Sequence, residues 1–439
     1  MRVYVEAYGC SQNQGEAARM TRALKAAGHP VVSRPEEGEV GLLVTCAVIG
    51  PTEERMVSRW RGFRQRFAHT IVTGCMVPLR VDRMVPETEG SGETHFLPIS
   101  EQDRVADLVT GLQREHAFPE EMPIPGEREG DEPKDRPVHR EVVIAQGCTS
   151  QCSYCFSRLA RGRLASRPPS EIVREVIEGV NEGIREVRLS SLDTSCYGLD
   201  RDQNGGRILL PELVDRVCSQ PDLPDFRVRV GMMSPQSLRR IARPYFQRLA
   251  EEDRLFKFLH LPVQSGSDEV LVRMRRGYTV EQFLNLVDQG RKLCPEVTVS
   301  TDVIVGFPAE TETDHRRTLS LLEEVNPEIV NVTRFSPRPG TPAAAMARLP
   351  GAVVKERSRQ VAALRMRLAR RKLEAQVGGT ASGLACERGI PDSTVYRLQN
   401  YLPVIVQGLQ PLGRWASLRI VGARSHYLLG KLAERGADS

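Results

Sequence analysis

The sequence predicts an α/β protein in three parts: an N-terminal parallel α/β domain, a central partial (β/α)6 barrel and a small C-terminal all-β barrel. Three observations predict it. Strand and helix signals alternate at the start of the chain. Six strand-like runs separated by helical periodicity fill the middle. Short apolar runs punctuated by glycine and proline close it. At 439 residues the chain exceeds one ordinary domain and has the length for roughly two or three.

The first part opens with "RVYVEAYG", a strand, and "EAARMTRALKAAG", a helix ending at Gly28 in the position a C-terminal cap requires. "EVGLLVTCAV" reads as a buried strand, "PTEERMVSRWRGFRQRF" as a helix opened by proline, and "HTIVTGC" as a third strand. Cys10, Cys46 and Cys75 each fall at the carboxyl end of one of these strands, the edge at which open α/β sheets bind ligands. A single buried cysteine is ordinarily a small hydrophobe. Three at equivalent strand ends, two of them preceded by glycine, point to a metal-cluster site.

"FPEEMPIPGEREGDEPKDRP" is rich in proline and acid and has little to bury, so residues 118–137 read as a linker. The expected organisation is 1–117, linker 118–137, core 138–372 and C-terminal domain 373–439. The six middle runs are "EVVIAQGC", "EVRLSSLD", "FRVRVGMM", "FKFLHLPV", "VTVSTDVIVG" and "EIVNVTRFSP", with helices such as "SEIVREVIEGVNEG" and "TVEQFLNLVDQGRKL" between them. A full eight-fold barrel needs more chain than this. The basic helix "VVKERSRQVAALRMRLARRKLEAQ" follows.

Net charge is only +5, but Lys355–Arg435 carries fifteen Lys/Arg against five Asp/Glu. A polyanionic partner such as nucleic acid, or a solvated basic helix, accounts for that balance. No apolar run approaches the roughly 18 residues of a membrane span, and the start lacks the plan of a signal peptide. The expected compartment is the cytoplasm, with no membrane partner; there clustered cysteines suggest metal or catalysis rather than disulfides.

Cys148, Cys152 and Cys155 sit at intervals of four and three on a loop directly after the first core strand. Zinc wants a fourth ligand, and no Cys or His follows within a few residues. A cubane iron–sulfur cluster held by three thiolates leaves one iron open for a cofactor or substrate. This spacing at this place matches the signature of radical S-adenosylmethionine enzymes. Cys196, Cys218, Cys294 and Cys386 lack metal-like companions and read as structural, Cys196 with least security because it lies on an active-face loop.

Asp193, His260, Gln264 and Asp302 sit at or near carboxyl ends of core strands, where polar groups hold a cofactor's ribose or carboxylate, face the substrate, or simply bond within the loops. Asp193 is also the one side chain with candidate catalytic standing beyond the clusters. Ser191 is a weaker cofactor candidate. Gly306 is read as permitting close backbone approach to the cofactor. Arg161, Arg163 and Arg167 suit phosphate or carboxylate contact, or ordinary salt bridges. Arg397, Tyr401, Arg414 and Trp415 combine charge and aromatic faces as RNA binding does.

Over essentially its full length the chain resembles the tRNA methylthiotransferases of the radical S-adenosylmethionine superfamily. "YGCSQNQGEAARM", "VTCAVIGPTEERM" and "TGCMV" look like the family's N-terminal cysteine blocks, and "GCTSQCSYCFSRLARGRLASRPPSEIV" like its radical motif. "FLHLPVQSGSDEVLVRMRRGYT", "TDVIVGFPAETETD" and "RFSPRPGTPAAAM" look like later barrel motifs, and the C-terminal stretch like the RNA-binding TRAM domain. "SSLDTSCYGLD" and "VRVGMMSP" look most like the archaeal and eukaryotic branch, although Val44 stands where Asn is usual and Leu192 where Gln is common.

The resemblance implies two [4Fe-4S] clusters, one on each cysteine triad, and S-adenosyl-L-methionine as cofactor, with the Tyr154 backbone helping to hold its adenine. One S-adenosylmethionine donates a methyl group to sulfur on the auxiliary cluster. A second yields the 5′-deoxyadenosyl radical that removes hydrogen from C2 of N6-threonylcarbamoyladenosine, beside the anticodon of tRNA. An electron-donor protein and a sulfur donor are implied partners. Two other readings stand beside this one: a methylthiotransferase for another tRNA adenosine or a ribosomal protein, and a zinc-stabilised RNA-binding protein without catalysis.

Overall fold

Residues 1–47, 50–84, 92–115, 137–201 and 207–433 are described by a computed structural model. Most of the expected linker, 118–136, lies outside the described residues. The chain divides into two compact units. The first is Met1–Arg136 together with Cys155–Arg163 and Arg338–Thr341; the second is Pro137–Tyr154, Leu164–Pro337 and Pro342–Ser439.

The first unit is a parallel sheet of five strands, β1 (Val3–Ala7), β2 (Val31–Val32), β3 (Val40–Thr45), β4 (His69–Gly74) and β5 (Glu93–Phe96), in the order β2-β1-β3-β4-β5. β3 and β4 are buried at every residue, as expected of central strands covered on both faces. Val3, Leu42, Val44 and Ile71 pack on one face against Leu24 of the Ser11–Ala26 helix and Val109 of the Val105–Glu115 helix. Leu43 and Val72 pack on the other against Trp60 and Phe63 of the Gly50–Arg66 helix. The three predicted strands are β1, β3 and β4; the two short additions, β2 and β5, are the sheet's edges, too brief to show alternation.

In the second unit all six expected runs form strands. β6 (His139–Val143) is followed by a small antiparallel pair, β7 (Ala145–Gln146) and β8 (Ala165–Ser166). Then come β9 (Glu186–Ser190), β10 (Arg227–Val230), β11 (Phe258–His260), β12 (Thr298–Val305) and β13 (Ile329–Arg334). They form two parallel three-stranded sheets, β10-β9-β6 and β11-β12-β13, joined by a parallel bridge between Val228 and Leu255. The result is an open half-barrel. Its apolar core includes Val142, Leu189, Val228, Leu259 and Val303 from the strands, and Val176, Phe283 and Leu321 from the helices outside them. The predicted helices run from Pro169 to Asn181 and from Val280 to Leu293, the second entered through a Thr279–Gln282 capping box. The basic helix spans Gly351–Glu374.

β14 (Thr380–Gly389), β15 (Ser393–Leu398), β16 (Pro403–Gln407), β17 (Trp415–Ala423) and β18 (Leu428–Leu432) close into a barrel in the order β14-β15-β16-β18-β17. Its core holds Tyr396, Val404, Leu418, Ile420 and Leu428, to which Leu373 at the end of the basic helix is added. A buried ionic network ties the barrel to β9. Glu186, wholly buried, accepts hydrogen bonds from Tyr401 Oη at 2.6 Å and from Arg188 Nε at 2.6 Å, and Arg188 also reaches Glu387 at 2.9 Å.

Burial alone would raise the Glu186 carboxyl, but Arg188 and the Tyr401 hydroxyl outweigh it and hold the group at about 2. A carboxyl depressed on folding contributes stability above its unfolded value, here 4.5, and loses that contribution as pH falls from there toward 2. Tyr401→Phe is therefore expected to cost about 1.5–3 kcal/mol at neutral pH, the value of a hydrogen bond to a charged group. It also moves acid unfolding to higher pH. Urea melts at neutral pH and an acid titration followed by circular dichroism check both; an unchanged acid midpoint would contradict the assignment.

Candidate active site

β1, β3 and β4 each deliver one cysteine of the first triad. Cys46 and Cys75 directly follow β3 and β4, and Cys10 lies three residues beyond β1. Both preceding glycines have left-handed backbones, Gly9 with φ +107° and Gly74 with φ +92°. A Cβ on Gly9 would stand 2.9 Å from Cys46 Sγ, and one on Gly74 would stand 2.3 Å from the Thr45 carbonyl. Only glycine lets these strand ends come so close. Asn13 holds two of them together, its Nδ2 donating to the Tyr8 carbonyl at 2.6 Å and the Thr45 carbonyl at 2.9 Å.

Burial pushes the Cys75 thiol up to about 11; the Arg161 guanidinium opposes this, while Cys10 and Cys46 reinforce it. Three thiols and a cation converge on one sheet edge. That donor set suits an iron–sulfur cluster, whose thiolates need compensating positive charge.

Arg161 is the first correction to the sequence reading. Named among the RNA-binding candidates with a salt bridge as the alternative, its side chain has no exposed surface and pairs with Glu16, donating also to Asn13 Oδ1 at 2.5 Å. A guanidinium held in this way is part of the wall of the triad. Arg167 likewise donates to Glu175 at 2.8 Å and to the Val143 carbonyl at 2.7 Å. For both, the salt-bridge alternative is the one the geometry supports. Arg163 is exposed.

On the cysteine loop each sulfur accepts its own N–H. The Ser150 amide lies 3.4 Å from Cys148 Sγ, Arg276 Nη1 3.1 Å from Cys152 Sγ, and the Arg158 amide 3.4 Å from Cys155 Sγ. Donors aimed at three sulfurs stabilise thiolates, the form that binds iron. The Cys148 thiol is held below its ordinary value, foremost by its interaction with the neighbouring Cys196. Cys196, buried and donating its S–H to the Asp193 carbonyl at 2.9 Å, is the side chain whose structural reading changes most, since it lies beside a candidate ligand.

Arg276 was not singled out by the sequence, since nothing in "RMRRGYT" distinguishes the last arginine. It is buried, bonds Tyr278 Oη at 3.1 Å and gains its partner at Cys152 only through folding. Tyr154 packs edge-on against Phe307, beside Val270, Met274 and Ala343.

Asp193 is fully buried, which raises its carboxyl. It accepts from Ser195 Oγ at 2.5 Å, Ser237 Oγ at 2.5 Å and the Ser234 amide at 3.0 Å. Its own amide bonds Ser191 Oγ at 3.0 Å. These bonds fix the loop after β9, the loop-bonding alternative for Asp193. His260 Nε2 lies 3.1 Å from both carboxylate oxygens of Asp302, and Asn331 Nδ2 donates to Asp302 at 2.6 Å. Neighbouring strands β11, β12 and β13 thus bring together three polar groups, of which Asn331 was missed because it lies mid-strand.

Gln264 has φ +70° and exchanges backbone bonds with Asp302 and Ile304. Gly306 also differs from expectation. Its φ is +73°, and an added Cβ would meet Val354 of the basic helix at 2.5 Å, so the close approach it permits is to that helix.

In the C-terminal barrel Arg414 is exposed and Trp415 half-buried beneath Arg227, 4.5 Å from its ring centroid. Arg397 lies over Tyr401 at 4.7 Å and beside Glu387 at 3.6 Å. Tyr401 is spent on Glu186, which corrects its expected role as a stacking platform. Arg367, Arg370 and Arg424 line a groove with Met366 where the basic helix meets the barrel, and the sequence named none of them individually.

A half-barrel opened by a three-cysteine loop, in a chain that also carries a parallel sheet with thiols on its carboxyl edge, defines a radical S-adenosylmethionine enzyme. Residues 142–322 match the Radical SAM superfamily and residues 2–90 the uncharacterized protein family UPF0004. Among solved structures, the radical S-adenosylmethionine methyltransferase TsrM from Kitasatospora setae, with cobalamin and a [4Fe-4S] cluster bound, shares the fold. The TM-score is 0.54 at 14% identity, over 78% of this chain and 76% of that one. A probable threonylcarbamoyladenosine tRNA methylthiotransferase of Pyrococcus abyssi is 35% identical over 98% of this chain and 99% of its own. The threonylcarbamoyladenosine tRNA methylthiotransferase of Danio rerio is 31% identical over 99% of this chain and 78% of its own. The chain belongs to the threonylcarbamoyladenosine tRNA methylthiotransferase family.

Proposed function

We propose that the protein methylthiolates C2 of N6-threonylcarbamoyladenosine beside the anticodon of tRNA. The observation that carries this reading is the end-to-end similarity to relatives named for that activity, over 98% of the chain and 99% of the Pyrococcus abyssi protein. Cys148, Cys152 and Cys155 hold one [4Fe-4S] cluster, and Cys10, Cys46 and Cys75 hold the other. With S-adenosylmethionine bound, these clusters would supply radical hydrogen abstraction and the sulfur and methyl group to be transferred. The chain's own residues do the rest. Arg276 compensates charge on Cys152, and the Ser150 amide donates to Cys148. The buried Arg161–Glu16–Asn13 arrangement sets the charge around the auxiliary triad.

His260, Asp302 and Asn331 offer donors and acceptors for the cofactor or the base, while Gln264 and Gly306 shape the loops beside them. Arg163, Arg414 and the groove of Arg367, Arg370 and Arg424 supply exposed charge for the RNA backbone. The domain limits expected above, 1–117, 138–372 and 373–439, suit this division of labour. The reaction consumes electrons and sulfur, so an electron-donor protein and a sulfur donor complete the set of partners, and a tRNA substrate is in keeping with work in the cytoplasm. No helix among the described residues is long and apolar enough to cross a membrane.

Reconstituted enzyme, incubated anaerobically with S-adenosylmethionine, reductant and tRNA carrying N6-threonylcarbamoyladenosine, is expected to yield the methylthio nucleoside and 5′-deoxyadenosine. Mass spectrometry of the digested tRNA reads the first. Deoxyadenosine without the nucleoside would reject this substrate and direct attention to another tRNA adenosine or a ribosomal protein. Neither product, from protein shown to hold iron and sulfide, would reject the catalytic reading itself.

A further inference from the structure

His69, Glu93 and His95 come together at the amino-terminal end of β4 and β5, the end of β4 away from Cys75. Parallel pairing sets His69 opposite Glu93 and Ile71 opposite His95. Side chains alternate along a strand, so Glu93 and His95 share one face while Thr94 turns to the other, where its hydroxyl accepts from Trp60 Nε1 at 3.2 Å. His69 lies two residues before Ile71, which faces the Ser11–Ala26 and Val105–Glu115 helices. All three side chains therefore project from that same face.

The geometry points to a site for a borderline divalent cation, zinc(II) foremost, held by His69 Nδ1, His95 Nε2 and Glu93 Oε2. The two ring nitrogens are 3.3 Å apart, and the carboxylate oxygen lies 3.6 Å from one and 3.7 Å from the other. Ligands bonded at about 2.0–2.1 Å to a tetrahedral zinc ion are spaced about 3.3–3.4 Å from one another. The observed triangle is close to one face of that tetrahedron. A hydrogen bond between the two rings at 3.3 Å accounts for one edge of the triangle but not for the carboxylate. The carboxylate stands beyond the roughly 2.7–3.2 Å of an N–H···O bond to either ring. Two imidazole nitrogens and one carboxylate oxygen form the His/carboxylate donor set that zinc takes.

The site is half open. The side chains of His69 and His95 are 4% and 18% exposed, whereas that of Glu93 is 63% exposed. The cation enters from the Glu93 side and keeps a water as fourth ligand. Its effect is mechanical: it fastens β5, a four-residue edge strand, to β4, the strand that ends at Cys75. The donors are distinct from all six candidate cluster cysteines, so zinc here coexists with iron and sulfide. Zinc in a preparation is then no argument for a non-catalytic protein.

The test uses the full-length, cluster-reconstituted protein, equilibrated with zinc and freed of loose metal over a weak chelator. About one zinc per chain is expected, and zinc-edge X-ray absorption should show a nitrogen/oxygen shell at about 2.0–2.1 Å with no sulfur shell near about 2.3 Å. Glu93→Gln and His95→Ala should each weaken zinc retention tenfold or more while leaving iron and sulfide content unchanged. Glu93 is exposed enough that its amide variant folds, which keeps the test decisive should His95→Ala be unstable. Retention below about a tenth of an equivalent would overturn the site. So would a sulfur shell, or variants that hold zinc as firmly as the parent protein.

Discussion

Cys152→Ala is expected to abolish reductive cleavage of S-adenosylmethionine and to leave roughly half the iron and sulfide of the reconstituted protein, the share of one cubane cluster of two. The argument rests on the loop from Cys148 to Cys155. Three thiols at fixed intervals follow one strand, and each sulfur receives a donor. Alanine at Cys152 removes one ligand and leaves the buried Arg276 guanidinium facing a methyl group. Burial opposes that charge, and Cys152 is among the groups that offset the opposition.

Cys46→Ala makes the contrasting case. It should also lose about half the metal, yet continue to release 5′-deoxyadenosine while forming no methylthio nucleoside. Iron and sulfide analysis with chromatography of deoxyadenosine distinguishes the two. Full cleavage by Cys152→Ala would remove the loop from its assigned role. Cys218→Ala serves as control, since Cys218 is packed in the half-barrel core and belongs to neither cysteine triad.

Arg161→Met is expected to destabilise the first unit by about 3–5 kcal/mol, the usual cost of removing one partner from a buried ion pair. Glu16 is 1% exposed in its side chain and would be left charged without its guanidinium. The same substitution removes the cation that opposes the rise in the Cys75 thiol, so auxiliary iron should fall as well. The double variant Arg161→Met/Glu16→Leu discriminates between causes. It should recover most of the stability, because no uncompensated charge remains, but not the metal affinity. Urea unfolding and iron analysis read the two quantities. A single variant as stable as the parent would show that the pair is not buried in solution.

Much of the fold was legible because its signals are local. β3, β4 and the six half-barrel strands are runs of apolar residues, and the Thr279 capping box and Gly28 mark helix ends by chemistry that requires no partner. The short edges β2 and β5 were not legible, since two and four residues carry no period. Within the site, the cysteines were legible by type and spacing. Their surroundings were not, because Arg276, Asn331 and the His69–Glu93–His95 group each depend on contacts between segments far apart in sequence.

The amino-acid sequence by itself determined the α/β class, the two cysteine triads and the family, since thiol spacing and apolar period survive without knowledge of any contact. Tertiary structure alone decided which charges serve which purpose. Arg161 and Arg167 read equally as anion contacts or salt bridges in a linear chain and became partners of carboxylates, Arg161 buried and Arg167 half-buried. Tyr401 became a donor to Glu186, and Cys196 a donor to the Asp193 carbonyl beside Cys148. The physical reason is the same in each case. A charged or polar side chain carries no mark of its burial, and burial decides whether it faces solvent or must be paired inside.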